Sequence, residues 1–97
     1  MVILQIEHKV PDFDGWKKAF ERDPIDRKKA GVRRFSIFRP VDDPHYVIIH
    51  LVFDTLAEAE KALAALRNLW QKVEGKVMMN PQTRMFDLVE NTSLSAL

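Results

Sequence analysis

The chain has 97 residues, 46% of them apolar and 30% charged, with three Gly, five Pro and no Cys. A single domain of that length buries roughly 65% of its unfolded surface, and the composition excludes disordered, collagen-like and coiled-coil chains. The lack of Cys removes disulfides, thiolate metal sites and a Cys nucleophile, and a net charge of +1 gives no global field to gather nucleic acid or an anionic membrane.

The first eight residues, Met1-Val2-Ile3-Leu4-Gln5-Ile6-Glu7-His8, lack a basic start and a signal-length apolar run, so a cytoplasmic protein is expected. No stretch approaches the ~20 apolar residues of a membrane span. Residues 2–10 alternate with period two: Val2, Leu4, Ile6, His8 and Val10 point one way, and Ile3, Gln5, Glu7 and Lys9 the other. That is a strand with one apolar face. Pro11 and Asp12 stop it, and Asp12 or Asp14 can cap a helix carrying Phe13, Trp16, Ala19 and Phe20 as its apolar stripe. Asp23-Pro24 reads as a second cap with Pro at the first helical position, so the helix is expected to break or kink there and resume through Lys29, with Gly31 as its C-terminal cap.

Eight cations lie between positions 17 and 34 against Glu21, Asp23 and Asp26, giving this stretch +5 and the remainder −4. Their alternation with acids reads as a solvated helix face rather than a phosphate-binding surface, and no nucleic-acid partner is expected. Arg34–Arg39 is a strand of β-formers ended by Pro40, and the turn-rich Val41-Asp42-Asp43-Pro44 joins it to a second strand, Tyr46–Phe53, as an antiparallel hairpin with a loop longer than two residues. Thr55-Leu56-Ala57-Glu58 matches a capping box. Leu56, Ala59, Leu63, Leu66, Leu69, Trp70 and Val73 then follow helical period up to a stop at Gly75. Residues 83–89 make the last strand, and the tail from Asn91 to Leu97 is small and polar.

The order β-α-β-β-α-β predicts a ferredoxin-like α+β domain over residues 1–90, a four-stranded antiparallel sheet with two helices on one face. Tyr46–Phe53 is apolar on both faces apart from His50, whereas the helices cover one. A homodimer in which two sheet faces meet is therefore expected.

Several stretches carry a resemblance: His8-Lys9-Val10-Pro11-Asp12-Phe13 with Trp16-Lys17 and Phe20, Arg27-Lys28-Lys29-Ala30-Gly31, Asp42-Asp43-Pro44, Phe53-Asp54 before Leu56-Ala57-Glu58-Ala59, and Met85-Phe86-Asp87-Leu88-Val89-Glu90. Over roughly residues 1–90 the chain resembles the small dimeric α+β barrel proteins, which include antibiotic-biosynthesis monooxygenase-like domains, polyketide cyclases, stress-responsive barrel proteins and haem-degrading enzymes. The haem-degrading branch uses an Asn in the first strand and a His beyond the second helix. This chain has no Asn before Asn68 and no His after His50, which disfavours haem. In the cyclase branch, strand His residues beside a Tyr perform acid–base work, and His8, Tyr46 and His50 supply those residue types.

His8 lies on the apolar face of the first strand, where an apolar pocket could tune it into a general base; a His hydrogen-bonded to a backbone carbonyl is the bland alternative. His50 is the second catalytic candidate, and it can meet His8 only if the two share a sheet face, which the doubly apolar third strand leaves open. Trp16, Phe20, Tyr46 and Trp70 are candidate ligand-binding residues, although a Trp in a helical stripe is ordinarily core. His45 belongs to a loop, and His45-x₄-His50 matches no zinc signature. No metal and no cofactor are expected. Two functions follow: a non-catalytic dimeric module that binds a small apolar or aromatic ligand, or a cofactor-independent monooxygenase or cyclase acting on an aromatic, polyketide-like molecule.

Overall fold

The computed structural model describes residues 1–73 and 78–95. The elements are β1 (Val2–Lys9), α1 (Phe13–Glu21), β2 (Arg34–Phe38), β3 (Tyr46–Phe53), α2 (Leu56–Val73) and β4 (Met79–Asp87). The strands form one antiparallel sheet in the order β2-β3-β1-β4. This is the expected ferredoxin-like βαββαβ topology.

Register decides which side chains share a face, because residues directly opposite in an antiparallel pair point the same way. Val2, Leu4, Ile6 and His8 of β1 face Phe53, Leu51, Ile49 and Val47 of β3. All eight are buried, and the seven apolar ones join Trp16, Ala59, Ala62, Leu63 and Trp70 in one core. The helices therefore cover this face. The opposite face presents Ile3, Gln5, Glu7, Tyr46, Ile48, His50 and Val52, flanked by Phe38 on β2 and Phe86 on β4. Phe38 and Phe86 are 48% and 38% exposed, so apolar surface is left over there as the chain pattern implied.

Helix ends follow local chemistry. Asp12 caps α1 by accepting from Gly15 N–H at 3.2 Å. At α2 the Thr55 hydroxyl accepts from Glu58 N–H at 3.2 Å and donates to the Glu58 carboxylate at 3.1 Å. The carboxylate thus takes the hydroxyl instead of the backbone N–H that a full capping box would supply. The Val73 side chain and the expected stop at Gly75 fall outside the described residues.

Three expectations change. The helix does not resume after Asp23-Pro24: residues 24–31 form turns, with Asp23 and Asp26 in the left-handed region at φ 53° and 54°. Asp tolerates that conformation where most residues do not, and each left-handed residue interrupts helical progression. Gly31, at φ 100°, closes this turn instead of capping a helix. The last strand begins four residues earlier than expected, at Met79, and ends at Asp87.

Candidate functional site

A cavity of about 220 Å³ lies between the helix-facing side of the sheet and the helices. Ile6, His8, Ile49 and Leu51 form its floor; Trp16, Ala19 and Phe20 of α1 and Leu66, Leu69 and Trp70 of α2 form its walls. Residues of the turn segment after α1, including Arg22 and Arg27, close one end, and Met78 contributes beside β4.

His8 is the one buried polar side chain among the described residues, at 2% exposure. Its Nδ1 lies 3.1 Å from the Lys9 carbonyl. A carbonyl only accepts, so Nδ1 carries the hydrogen and Nε2 keeps its lone pair in the neutral ring. Nε2 has no partner among the described residues, and the His8 side chain lines the cavity. Burial pulls the His8 pKa below 6.5, and the hydrogen bond to the Lys9 carbonyl offsets this in part. The imidazole is therefore held neutral, in its proton-accepting form, at pH 7.

The backbone also singles out His8. Between β1 and β4 the register shifts, Glu7 pairing with Gln82 and Lys9 with Met79. Two residues of β1 thus span three of β4, a bulge in β4 at Asn80 and Pro81. Asn80 takes φ 52°, and Pro81 has no N–H to give the ladder. Bulges re-aim neighbouring side chains and recur beside functional sites. Nothing in the sequence pattern of β1 signals this one; the Asn80-Pro81 pair could have.

The candidates divide between the two faces. His8, Trp16, Phe20 and Trp70 line one cavity, with His8 and Trp16 in edge contact at 5.7 Å and Trp16 and Phe20 at 5.3 Å. His50 and Tyr46 do not join them. His50 is opposite Gln5 and Tyr46 opposite Lys9, which puts both on the uncovered face. There His50 Nε2 pairs with Gln5 Oε1 at 2.9 Å and its ring meets Phe38 edge-on at 5.0 Å. The Tyr46 hydroxyl donates to Glu7 at 2.7 Å, and its pKa is pushed up to about 12 by burial first, then by the hydrogen bond and charge of Glu7. A phenol so placed serves neither as base nor as partner to His8. His45 is exposed on the β2–β3 loop.

Arg22 and Arg27 are the cavity residues that sequence reading missed, because both were assigned to a solvated helix face. Among the described residues, no three His, Asp or Glu side chains converge as metal ligands, and no helix is long and apolar enough to cross a membrane.

No family model matches the chain, and no curated protein matches it in sequence. Solved structures do share its fold. A variant of SnoaB, a cofactor-independent oxygenase from Streptomyces nogalater, superposes with a TM-score of 0.74 at 14% identity, covering 93% of this chain and 94% of its own. An antibiotic biosynthesis monooxygenase-like protein from Nitrosomonas europaea gives 0.70 at 16% identity, covering 95% and 93%. A dimeric ferredoxin-like protein from an uncultured marine organism gives 0.68 at 13% identity, covering 94% and 97%. The chain thus has the ferredoxin-like fold of antibiotic biosynthesis monooxygenase-like proteins, and at these identities the likeness is one of fold.

Proposed function

We propose that the protein is a homodimeric, cofactor-independent oxygenase acting on a phenolic, polyketide-like aromatic held in the helix-side cavity. The observation that carries this reading is the buried, neutral His8, which lines a cavity walled by Trp16, Phe20 and Trp70 and whose Nδ1 is the ring nitrogen held by the Lys9 carbonyl. Ring walls favour a flat ligand, by ~0.5–1.5 kcal/mol per aromatic pair beyond the area buried. The cofactor-independent oxygenase of the same fold supports the reaction class.

In this reading Nε2 takes a proton from a ring methylene made acidic by the ketone conjugated with it across the ring. The resulting carbanion gives its electrons to dioxygen, the oxidant, and a C–O bond forms. The O–O bond then breaks, and both methylene hydrogens leave in one water while a carbonyl remains on the ring. Aromatic walls and the burial of His8 hold the substrate and exclude bulk water from the carbanion.

Dimerisation belongs to the same proposal. Ile3, Ile48, Val52, Phe38 and Phe86 give the uncovered face an apolar patch, which a second sheet would cover in an isologous contact. Light scattering at micromolar concentration should return twice the 11.3 kDa chain mass; a monomer mass overturns the dimer.

A second reading, a binding module without turnover, has its own support: about 220 Å³ falls below the ~300 Å³ at which ligand pockets ordinarily begin, and neither His50 nor Tyr46 assists His8. An oxygen electrode with a hydroxyanthrone separates the two. The oxygenase reading expects one dioxygen consumed per anthrone, and a His8→Gln rate lower by ~10²–10⁴. A quinone that raises Tm, with no oxygen uptake from the hydroxyanthrone, favours the module. Neither uptake nor a Tm shift rejects both.

A further inference from the structure

We propose that Arg27 is a specificity-determining residue, and that the ligand is an aromatic acid whose ring occupies the cavity while its carboxylate reaches past Arg27 into a basic groove. The proposal rests on the aromatic-ligand reading of the cavity.

No acidic side chain lines the cavity among the described residues; its charged residues are Arg22 and Arg27. A second depression of about 570 Å³ lies beside it, lined by Arg27, Lys28, Arg33 and Arg34 with Asp23 as the one acid. Arg27 belongs to both linings. An apolar ring compartment therefore adjoins a basic one, with Arg27 lining both; of the groove's cations, Arg33 is paired with Asp54 at 2.6 Å.

That guanidinium is built in. The Arg27 side chain is 15% exposed, and its Nη1 donates to the Phe20 carbonyl at 2.8 Å while Nε faces Asp23 at 3.4 Å. Its plane packs over Phe20 at 3.9 Å and reaches Phe35 at 5.0 Å. Asp23 in turn accepts from Arg27 N–H at 2.8 Å, which fixes the turn in which Asp23 and Asp26 sit at positive φ. A left-handed Asp persists where its surroundings over-determine it, and Arg27 supplies much of that determination. Arg has five N–H donors in a rigid fork. The Phe20 carbonyl accepts from one of them and Asp23 lies 3.4 Å from Nε, while the other donors have no partner among the described residues and can meet a carboxylate at little cost in side-chain ordering. The arrangement also accommodates a ligand larger than the inner cavity alone.

Calorimetry with 2-naphthol and 6-hydroxy-2-naphthoate tests this. The native protein should bind the acid about tenfold or more tightly than the phenol, and 0.5 M salt should shrink that margin. Arg27→Met should bring the ratio close to one, and Arg27→Lys should restore part of it. Because Arg27 also ties the turn together, Lys28→Gln provides an independent arm, since among the described residues no side-chain bond of Lys28 holds the turn: it should lower affinity for the acid alone. Equal binding of acid and phenol by the native protein overturns the proposal and leaves the aromatic site standing. Equal weakening of both ligands in Arg27→Met, with no effect of Lys28→Gln, makes Arg27 structural and also overturns it. If neither compound binds, the subsite and the aromatic-site reading fall together.

Discussion

Acidification should destabilise the native protein through His8, and His8→Leu should remove that sensitivity. The folded state lowers the His8 pKa below 6.5 because burial penalises the imidazolium. Between the folded value and 6.5 the unfolded chain binds a proton that the folded one refuses, so stability rises with pH in that window. The contribution is fully present above 6.5 and is lost as pH falls through the folded value. For one proton the steepest slope is about 1.4 kcal/mol per pH unit. Leu keeps the apolar volume and cannot titrate. The assay is urea unfolding of both proteins from pH 8 to 4.5 at one protein concentration, since dimer formation makes stability concentration-dependent. Subtracting the curves cancels groups that titrate alike in both. The difference should be constant above pH 7, decline on acidification with at most that slope, and level off below the folded pKa. A flat difference, or a native protein that gains on His8→Leu as pH falls, refutes the claim that His8 is held neutral.

Three further outcomes follow from the packing. Gly31→Ala should cost ~1–2 kcal/mol from its φ of 100° alone; the new Cβ would lie 2.6 Å from Glu58 Oε2, so Glu58→Ala in the same chain should recover only the steric part in urea unfolding. Phe53→Ala, at a fully buried position, should cost ~3–5 kcal/mol, read from the same unfolding curves. His50→Gln should leave the Tm shift produced by a cavity ligand unchanged, because His50 stands on the opposite sheet face; loss of that shift would contradict the division of the two histidines.

Much of this architecture is legible in the chain. The alternation Val2, Leu4, Ile6, His8 placed His8 on the covered face, and the turn residues Asp42-Asp43-Pro44 marked the β2–β3 loop. The separation of His8 from His50 was not legible, because β3 is apolar on both faces and a one-residue change of register exchanges them. Nor was the segment from Asp23 to Gly31. Its Pro and acid spacing fit a helix start, while the observed turn is held by ties from Arg27 back to Phe20 and Asp23 that no helix pattern signals. For the same reason the cations of this stretch read as one solvated face, when two of them, Arg22 and Arg27, line the cavity.

The most direct measurement is a crystal structure of the protein with a hydroxyanthraquinone. The account predicts the ring system between Trp16, Phe20 and Trp70, with a ligand oxygen within hydrogen-bond distance of His8 Nε2. A ligand seated on the face that carries His50 and Tyr46, with the helix-side cavity unchanged, would contradict it.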